Sequence, residues 1–88
     1  MTNKAPAAAV HLVMYGRSGC HLCDDMRDAL ETCRDQLDFS LEFRDIDARA
    51  DWQRRYAERI PVLFAGDSEI CHYYLDRQAL LEHFSRGA

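Results

Sequence analysis

The sequence predicts an α/β sandwich in the order βαβαββα, built on a small four-stranded mixed sheet. Three observations carry that expectation. Val10 to Tyr15 is a nearly continuous apolar run of strand formers, Leu22 to Leu37 carries one helical apolar stripe, and Gly66-Asp67 separates two short strand-like runs.

Val10-His11-Leu12-Val13-Met14-Tyr15 suits a central strand covered on both faces, and Gly16-Arg17-Ser18-Gly19 breaks it as a loop. From Cys20 onward, Leu22, Met26, Leu30, Cys33 and Leu37 recur at spacings of four, four, three and four, which puts them on one side of a helix. Asp24, Asp25 and Asp28 crowd its first turns, where carboxylates favour the positive end of the helix dipole. Leu41 to Ile46 alternates as a second strand, and Asp47 is the expected N-cap of a helix with Trp52, Tyr56 and Ala57 on one face. Pro61 leads into a third strand over 62–65, and Gly66-Asp67 turns the chain into a fourth, Glu69 to Tyr73. Asp76 caps the last helix. Leu75 and Leu80 are spaced as a hydrophobic staple around that cap, and Leu81 and Phe84 extend the buried face.

A length of 88 residues holds one domain over 1–88, with roughly 1–8 as a short tail. Hydrophobic residues at 48% and charged residues at 30% describe a globular core rather than a disordered or membrane-spanning chain. The formal charge of −4 argues against nucleic acid or an anionic membrane as a partner. Lys4 is the single lysine and lies in the tail, so a buried lysine nucleophile for Schiff-base chemistry has no candidate. Pro6 and His11 interrupt the apolar N-terminal stretch and no small-residue cleavage site follows. The expected setting is therefore the reducing cytoplasm, where thiols at Cys20, Cys23, Cys33 and Cys71 are free or redox-active rather than structural bridges.

Cys20-His21-Leu22-Cys23 stands where a strand passes through a loop into a helix. At a helix N-terminus the unpaired backbone N–H groups and the dipole stabilise a thiolate at Cys20, and Cys23, one turn inward, is close enough to close a disulfide. Cys20 is then the attacking sulfur and Cys23 the resolving one. A zinc site needs two further ligands, and adjacent Cys71 and His72 point to opposite faces of a strand. Zinc and iron–sulfur binding nevertheless stand as alternatives, as does a noncatalytic interaction domain on the same fold.

Tyr15-Gly16-Arg17-Ser18-Gly19-Cys20-His21-Leu22-Cys23, the Ile60-Pro61-Val62 step and the element order resemble the glutaredoxin-like branch of the thioredoxin superfamily over roughly positions 10 to 85. The resemblance implies a thioredoxin-like, glutaredoxin-type fold and a thiol–disulfide oxidoreductase with Cys20 as nucleophile and Cys23 as resolving thiol. It implies a cis bond before Pro61 and backbone groups of Ile60 offered to an extended thiol substrate. Arg17 stands where many members carry a lysine that favours the thiolate, while Asp24 and Asp25 oppose it and His21 tunes the couple according to its charge. Members usually place a Gly-Gly pair and then an aspartate near the last helix to hold glutathione. Here that stretch is Cys71-His72-Tyr73-Tyr74-Leu75-Asp76, in which Asp76 alone matches. Glutathione and a protein disulfide therefore both stand as substrates. Glutathione or a reductase protein supplies electrons, no metal or organic cofactor is required, and the chain is expected to be monomeric.

The remaining residues have plainer expectations. Cys33 is a core residue, Cys71 an ordinary strand cysteine or an auxiliary thiol near the rim of the site. Arg49, Arg54, Arg55 and Arg59 form a solvated face paired with Asp51 and Glu58. Trp52, Tyr56 and Tyr15 pack, and His11 and His83 are structural or surface residues.

Overall fold

The computed structural model describes residues 10–87, so the expected tail and its Lys4 lie outside the described residues. Strands β1 (Val10–Gly16), β2 (Phe39–Asp45), β3 (Val62–Ala65) and β4 (Ser68–His72) alternate with helices α1 (His21–Glu31), α2 (Ala50–Tyr56) and α3 (Arg77–Gly87) in the expected order. They form one sheet, ordered β2-β1-β3-β4. β1 runs parallel to β2 and antiparallel to β3, and β3 pairs antiparallel with β4.

The period of two along β1 divides the core. Leu12 and Met14 enter a main cluster with Met26, Leu30 and Cys33 below α1, Leu63 and Ala65 from β3, and Leu80 from α3. Val13 and Tyr15 point the other way, into a second cluster with Ile46, Tyr56 and Val62. Both faces of β1 are thus covered, which accounts for its unbroken apolar run. The second cluster is largely aromatic: Tyr15 stacks on Tyr56 at 4.2 Å between centroids and meets Trp52 edge-on at 5.5 Å. Trp52, Tyr56 and Tyr15 pack, as their spacing suggests.

Four local expectations are corrected. The α1 stripe continues to Leu37, but the helix ends at Glu31, where the Thr32 hydroxyl donates to the Ala29 carbonyl at 2.6 Å. Tight turns, including Leu37 N–H to Cys33 O at 2.9 Å, carry Cys33 and Leu37 onto the core instead. Asp47 does not cap α2. A 3-10 turn (Ile46–Ala48) intervenes, capped by Asp45, and α2 begins after Arg49 without a side-chain cap. Leu81 is 46% exposed, because Leu80 and Phe84, four apart, occupy the inner face of α3. Arg59 pairs with Glu69 rather than Glu58, whereas Arg49 does pair with Asp51.

The other end signals stand as expected. Gly66, at φ 60°, turns the chain between Ala65 and Ser68 in the left-handed region that favours glycine. Asp76 Oδ1 accepts the Ala79 N–H at 3.0 Å and so caps α3. A register shift between Leu63 and Phe64 lets Ile70 and Cys71 both pack on the main cluster. Among the described residues no helix is long and apolar enough to cross a membrane.

Gly16 ends β1 where the strand meets α1. A Cβ at this position would lie 2.7 Å from Cys23 Sγ and 2.8 Å from the Phe43 ring. Cys23, 1% exposed, has no room to withdraw, and the partly buried Phe43 ring could move only by loosening its packing on the main cluster. Gly16→Ala is expected to destabilise the protein by about 1–3 kcal/mol, read as a lower denaturant midpoint at unchanged slope. An unaltered midpoint would show that the strand end gives way without cost.

Candidate active site

The site assembles at the C-terminal end of β1. Cys20 is the N-cap of α1, with extended backbone angles, and its Sγ accepts the Cys23 N–H at 3.1 Å. One of the orphan donors of the helix end is therefore spent on sulfur. The Asp24 N–H closes the first turn on the Cys20 carbonyl at 3.1 Å. Cys20 and Cys23 are joined as a disulfide with Cα atoms 5.2 Å apart. The two sulfurs are not equivalent: Cys20 is half-exposed, whereas Cys23 is 1% exposed beneath the strand end.

The loop before Cys20 is tied down from the β2 side. Arg17 Nε donates to both oxygens of Asp47, at 3.2 and 3.1 Å, and its NH2 group donates to Oδ1 at 3.1 Å. Ser18 donates to Asp45 at 3.4 Å, and Gly19 takes φ 77° where the chain turns toward the helix. Arg17 is therefore not a free cation beside the sulfur; its charge is met by Asp47 in a forked pair. That hydrogen bond is the main reason the Asp47 carboxyl is held below its ordinary range, with burial opposing and Gln53 adding to it. Asp24 and Asp25 are exposed in the first turns of α1, and His21 opens the helix, exposed to solvent.

Pro61 borders the same end. The Ile60-Pro61 bond is cis, Pro61 is fully buried, and the next residue, Val62, pairs with Tyr15 immediately before Gly16. Ile60 is half-buried against the aromatic cluster. Past β4, Tyr73 adopts φ 66°, a left-handed conformation that costs a bulky residue about 1–2 kcal/mol. Its N–H donates to the Pro61 carbonyl at 2.9 Å and its hydroxyl to the Glu58 carbonyl at 2.7 Å. Tyr74, beside it, is 68% exposed.

Cys20, Cys23, Arg17, His21, Ile60 and Pro61 thus lie toward one end of the sheet, while Cys71 lies within β4 and Asp76 caps α3. Cys71 sits opposite Leu63 in the ladder and packs on the main core. Burial pushes its thiol up, the Asp76 N–H bond opposes this, and the Asp76 and Glu69 charges add to it. Cys33 is buried with the Arg77 guanidinium 3.1 Å from its sulfur. Among the described residues no three His, Cys, Asp or Glu side chains gather as a metal site.

Gly16, Asp47 and Tyr73 have parts in the site that differ from those their sequence positions suggest. The glycine carried a signal, since it directly precedes the cysteine loop. Asp47 and Tyr73 reach the site through contacts 30 and 15 residues distant in sequence, which local patterns do not register.

The sequence profile of the Glutaredoxin-like domain (DUF836) matches residues 11–85. The solution structure of protein Ne2328 from Nitrosomonas europaea is 40% identical, with a TM-score of 0.82 over 94% of this chain and 98% of that one. An X-ray structure of protein XcR50 from X. campestris is 32% identical, with a TM-score of 0.61 over 85% of this chain and 96% of that one. Glutaredoxin of E. coli, 24% identical, shares the fold at a TM-score of 0.52 over 86% of this chain and 94% of that one. No curated protein matches the sequence.

Two measurements check this electrostatic description. A group whose folded pKa is depressed contributes stability that is full above its unfolded value and lost as pH falls through the folded value. Arg17→Met should accordingly raise the Asp47 carboxyl titration, followed by carbon-detected NMR, and shift the acid limb of stability upward in pH; an unmoved titration would mean that Arg17 does not hold this carboxylate. In the reduced protein, Cys71 should alkylate more slowly at neutral pH than an unperturbed thiol, because less of it is thiolate. Mass-mapped labelling that finds it as fast as a free cysteine would contradict its burial.

Proposed function

The chain belongs to the glutaredoxin-like domain family, and from that premise we propose that it is a thiol–disulfide oxidoreductase with Cys20 as nucleophile and Cys23 as resolving thiol. The observation that carries this reading is the unequal exposure of two sulfurs paired at a helix N-terminus, one half-exposed and capped by an N–H, the other buried. Such a pair has one atom that an external disulfide can reach and one that only its neighbour can reach.

The reaction begins from the reduced pair. Cys20 thiolate, favoured by the helix dipole and the Cys23 N–H, attacks one sulfur of a substrate disulfide. The substrate S–S bond breaks, the first substrate thiolate leaves and takes a proton from solvent, and a Cys20–substrate mixed disulfide remains. Cys23 then gives up its proton, attacks the Cys20 sulfur and releases the second substrate thiol. Two electrons have passed to the substrate and the Cys20–Cys23 disulfide is formed. Two glutathione thiols, or one dithiol reductase protein, return the electrons by the reverse exchanges. The chemistry uses no metal and no organic cofactor, and it suits a reducing compartment such as the cytoplasm.

Arg17, His21, Ile60 and Pro61 are the residues we assign to substrate contact, from their place at the same end of the sheet as Cys20. Asp76 and Cys71, set toward α3, would act on the far end of a longer substrate. Glutathione and a protein disulfide both stand as substrates of this reaction.

A redox titration in glutathione buffers, quenched by alkylation and read by intact mass, tests the assignment. The expected result is reversible conversion of two reactive thiols into one Cys20–Cys23 disulfide. Cys23→Ser should accumulate a mixed disulfide on Cys20, while Cys20→Ser should lose exchange by about a hundredfold or more. A pair that stays reduced across the buffers, or that reacts only after a chelator is added, would replace this reading with a metal-binding or noncatalytic one.

A further inference from the structure

Tyr73 stands in a backbone region that L-residues with large side chains enter only when their surroundings impose it. Burial does not impose it, since the residue is 40% exposed. The contacts at its two ends do. At the backbone end its N–H is held by the Pro61 carbonyl, 2.9 Å away. At the far end its hydroxyl is held by the Glu58 carbonyl, 2.7 Å away. The ring also stands edge-on to His72, 4.7 Å between centroids. Tyr73 therefore ties down both flanks of Arg59-Ile60, the segment that joins α2 to the cis proline.

The Arg59–Glu69 ion pair and the packing of Ile60 on the aromatic cluster hold the side chains of that segment, but few main-chain hydrogen bonds fix its backbone. The Arg59 N–H closes on the Tyr56 carbonyl at 2.8 Å, and beyond it no turn or loop hydrogen bond among the described residues uses the Ile60 N–H or carbonyl. Ile60 stands one residue, the cis-Pro61, before the sheet end where Val62 pairs with Tyr15, next in the chain to Gly16 and its contact with Cys23. Among the described residues the main-chain groups of Ile60 have no hydrogen-bond partner, and they lie at the disulfide end of the fold. A glycine at position 73 would take the same φ freely, but it would leave the strap out. The strain makes sense if the strap is needed.

We propose that Tyr73 is a positioning residue for substrate recognition, holding the Glu58–Pro61 segment so that the Ile60 backbone forms a fixed hydrogen-bonding edge for the main chain of a peptide disulfide presented to Cys20. This rests on the oxidoreductase reading and deepens it, because it makes an extended peptide the preferred substrate class. Main-chain pairing requires donors and acceptors fixed in advance, and an edge that must be ordered at each encounter binds more weakly. In this role Tyr73 acts through Ile60 rather than on the reacting sulfur.

The test compares two disulfides in reaction with the reduced protein. One is 2-hydroxyethyl disulfide, which has no peptide backbone; the other is the disulfide-linked dimer of a neutral pentapeptide with a central cysteine. The quantity read is the ratio of the second-order rate constants, peptide over hydroxyethyl. Tyr73→Gly should lower that ratio by about tenfold, and Tyr73→Phe, which keeps the ring and backbone but lacks the hydroxyl, should lower it by an intermediate factor. Equal slowing on both substrates would reduce Tyr73 to a structural role, and an unchanged ratio would overturn the strap outright. Should Tyr73→Gly fail to fold, the Phe variant decides in the same way. A wild-type protein that reduces neither disulfide would bring down the oxidoreductase reading itself, whereas one that reduces hydroxyethyl disulfide with no Tyr73-dependent ratio brings down only this proposal.

Discussion

The contact on which the rest of the site depends is the approach of the Cys23 sulfur to the end of β1, possible because position 16 has no side chain. A Cβ there would meet the sulfur and the Phe43 ring together. With the glycine in place, the first turn of α1 settles against the strand end and Cys23 is sealed off. Cys20, three residues earlier at the cap, is left facing outward. The difference in exposure between the two cysteines is thus a packing result, settled by one missing methyl group.

From that contact the surrounding pieces acquire their roles. The loop between Gly16 and Cys20 crosses from strand to helix, and its polar residues are held by Asp47 and Asp45 at the far end of β2. β2 is parallel to β1, so its C-terminal end arrives beside the same loop. β3 is antiparallel to β1, so its first residues, preceded by Pro61, arrive there too. A mixed sheet therefore brings the end of one strand and the beginning of another to a single edge. The dipole of α1 points its positive end at the Cys20 sulfur.

The electrostatics around the disulfide are more balanced than a count of charges suggests. Arg17 is matched by Asp47, Arg59 by Glu69 and Arg49 by Asp51, all largely in solvent. Pairs of this kind contribute little to stability, and their value here is positional. They fix the loop and the segment around cis-Pro61 without placing an unmatched cation on the sulfur. The backbone N–H of Cys23 remains the donor in contact with Cys20.

Most of the architecture was determined by local sequence. The period of two in β1, the helical stripe below it, Gly66 at the hairpin and Asp76 at α3 are short-range signals whose physics acts within a few residues, and each element formed where those signals stand. The Cys20-x-x-Cys23 spacing likewise fixed one cap sulfur and one sulfur a turn inward. The sequence did not determine which acid would cap and which would clasp. Asp45 and Asp47 are equally good caps by composition, and the 3-10 turn between β2 and α2, set by burial of Ile46, assigned them. The end of α1 went the same way: the apolar stripe ran on, but a threonine and the need to reach β2 replaced helix with turns. Gly16 against Cys23, Arg17 on Asp47, and Tyr73 between Pro61 and Glu58 join residues from separate elements. Only the packed sheet brings them within reach, because such contacts depend on chain ends meeting in space rather than on any periodicity along the chain.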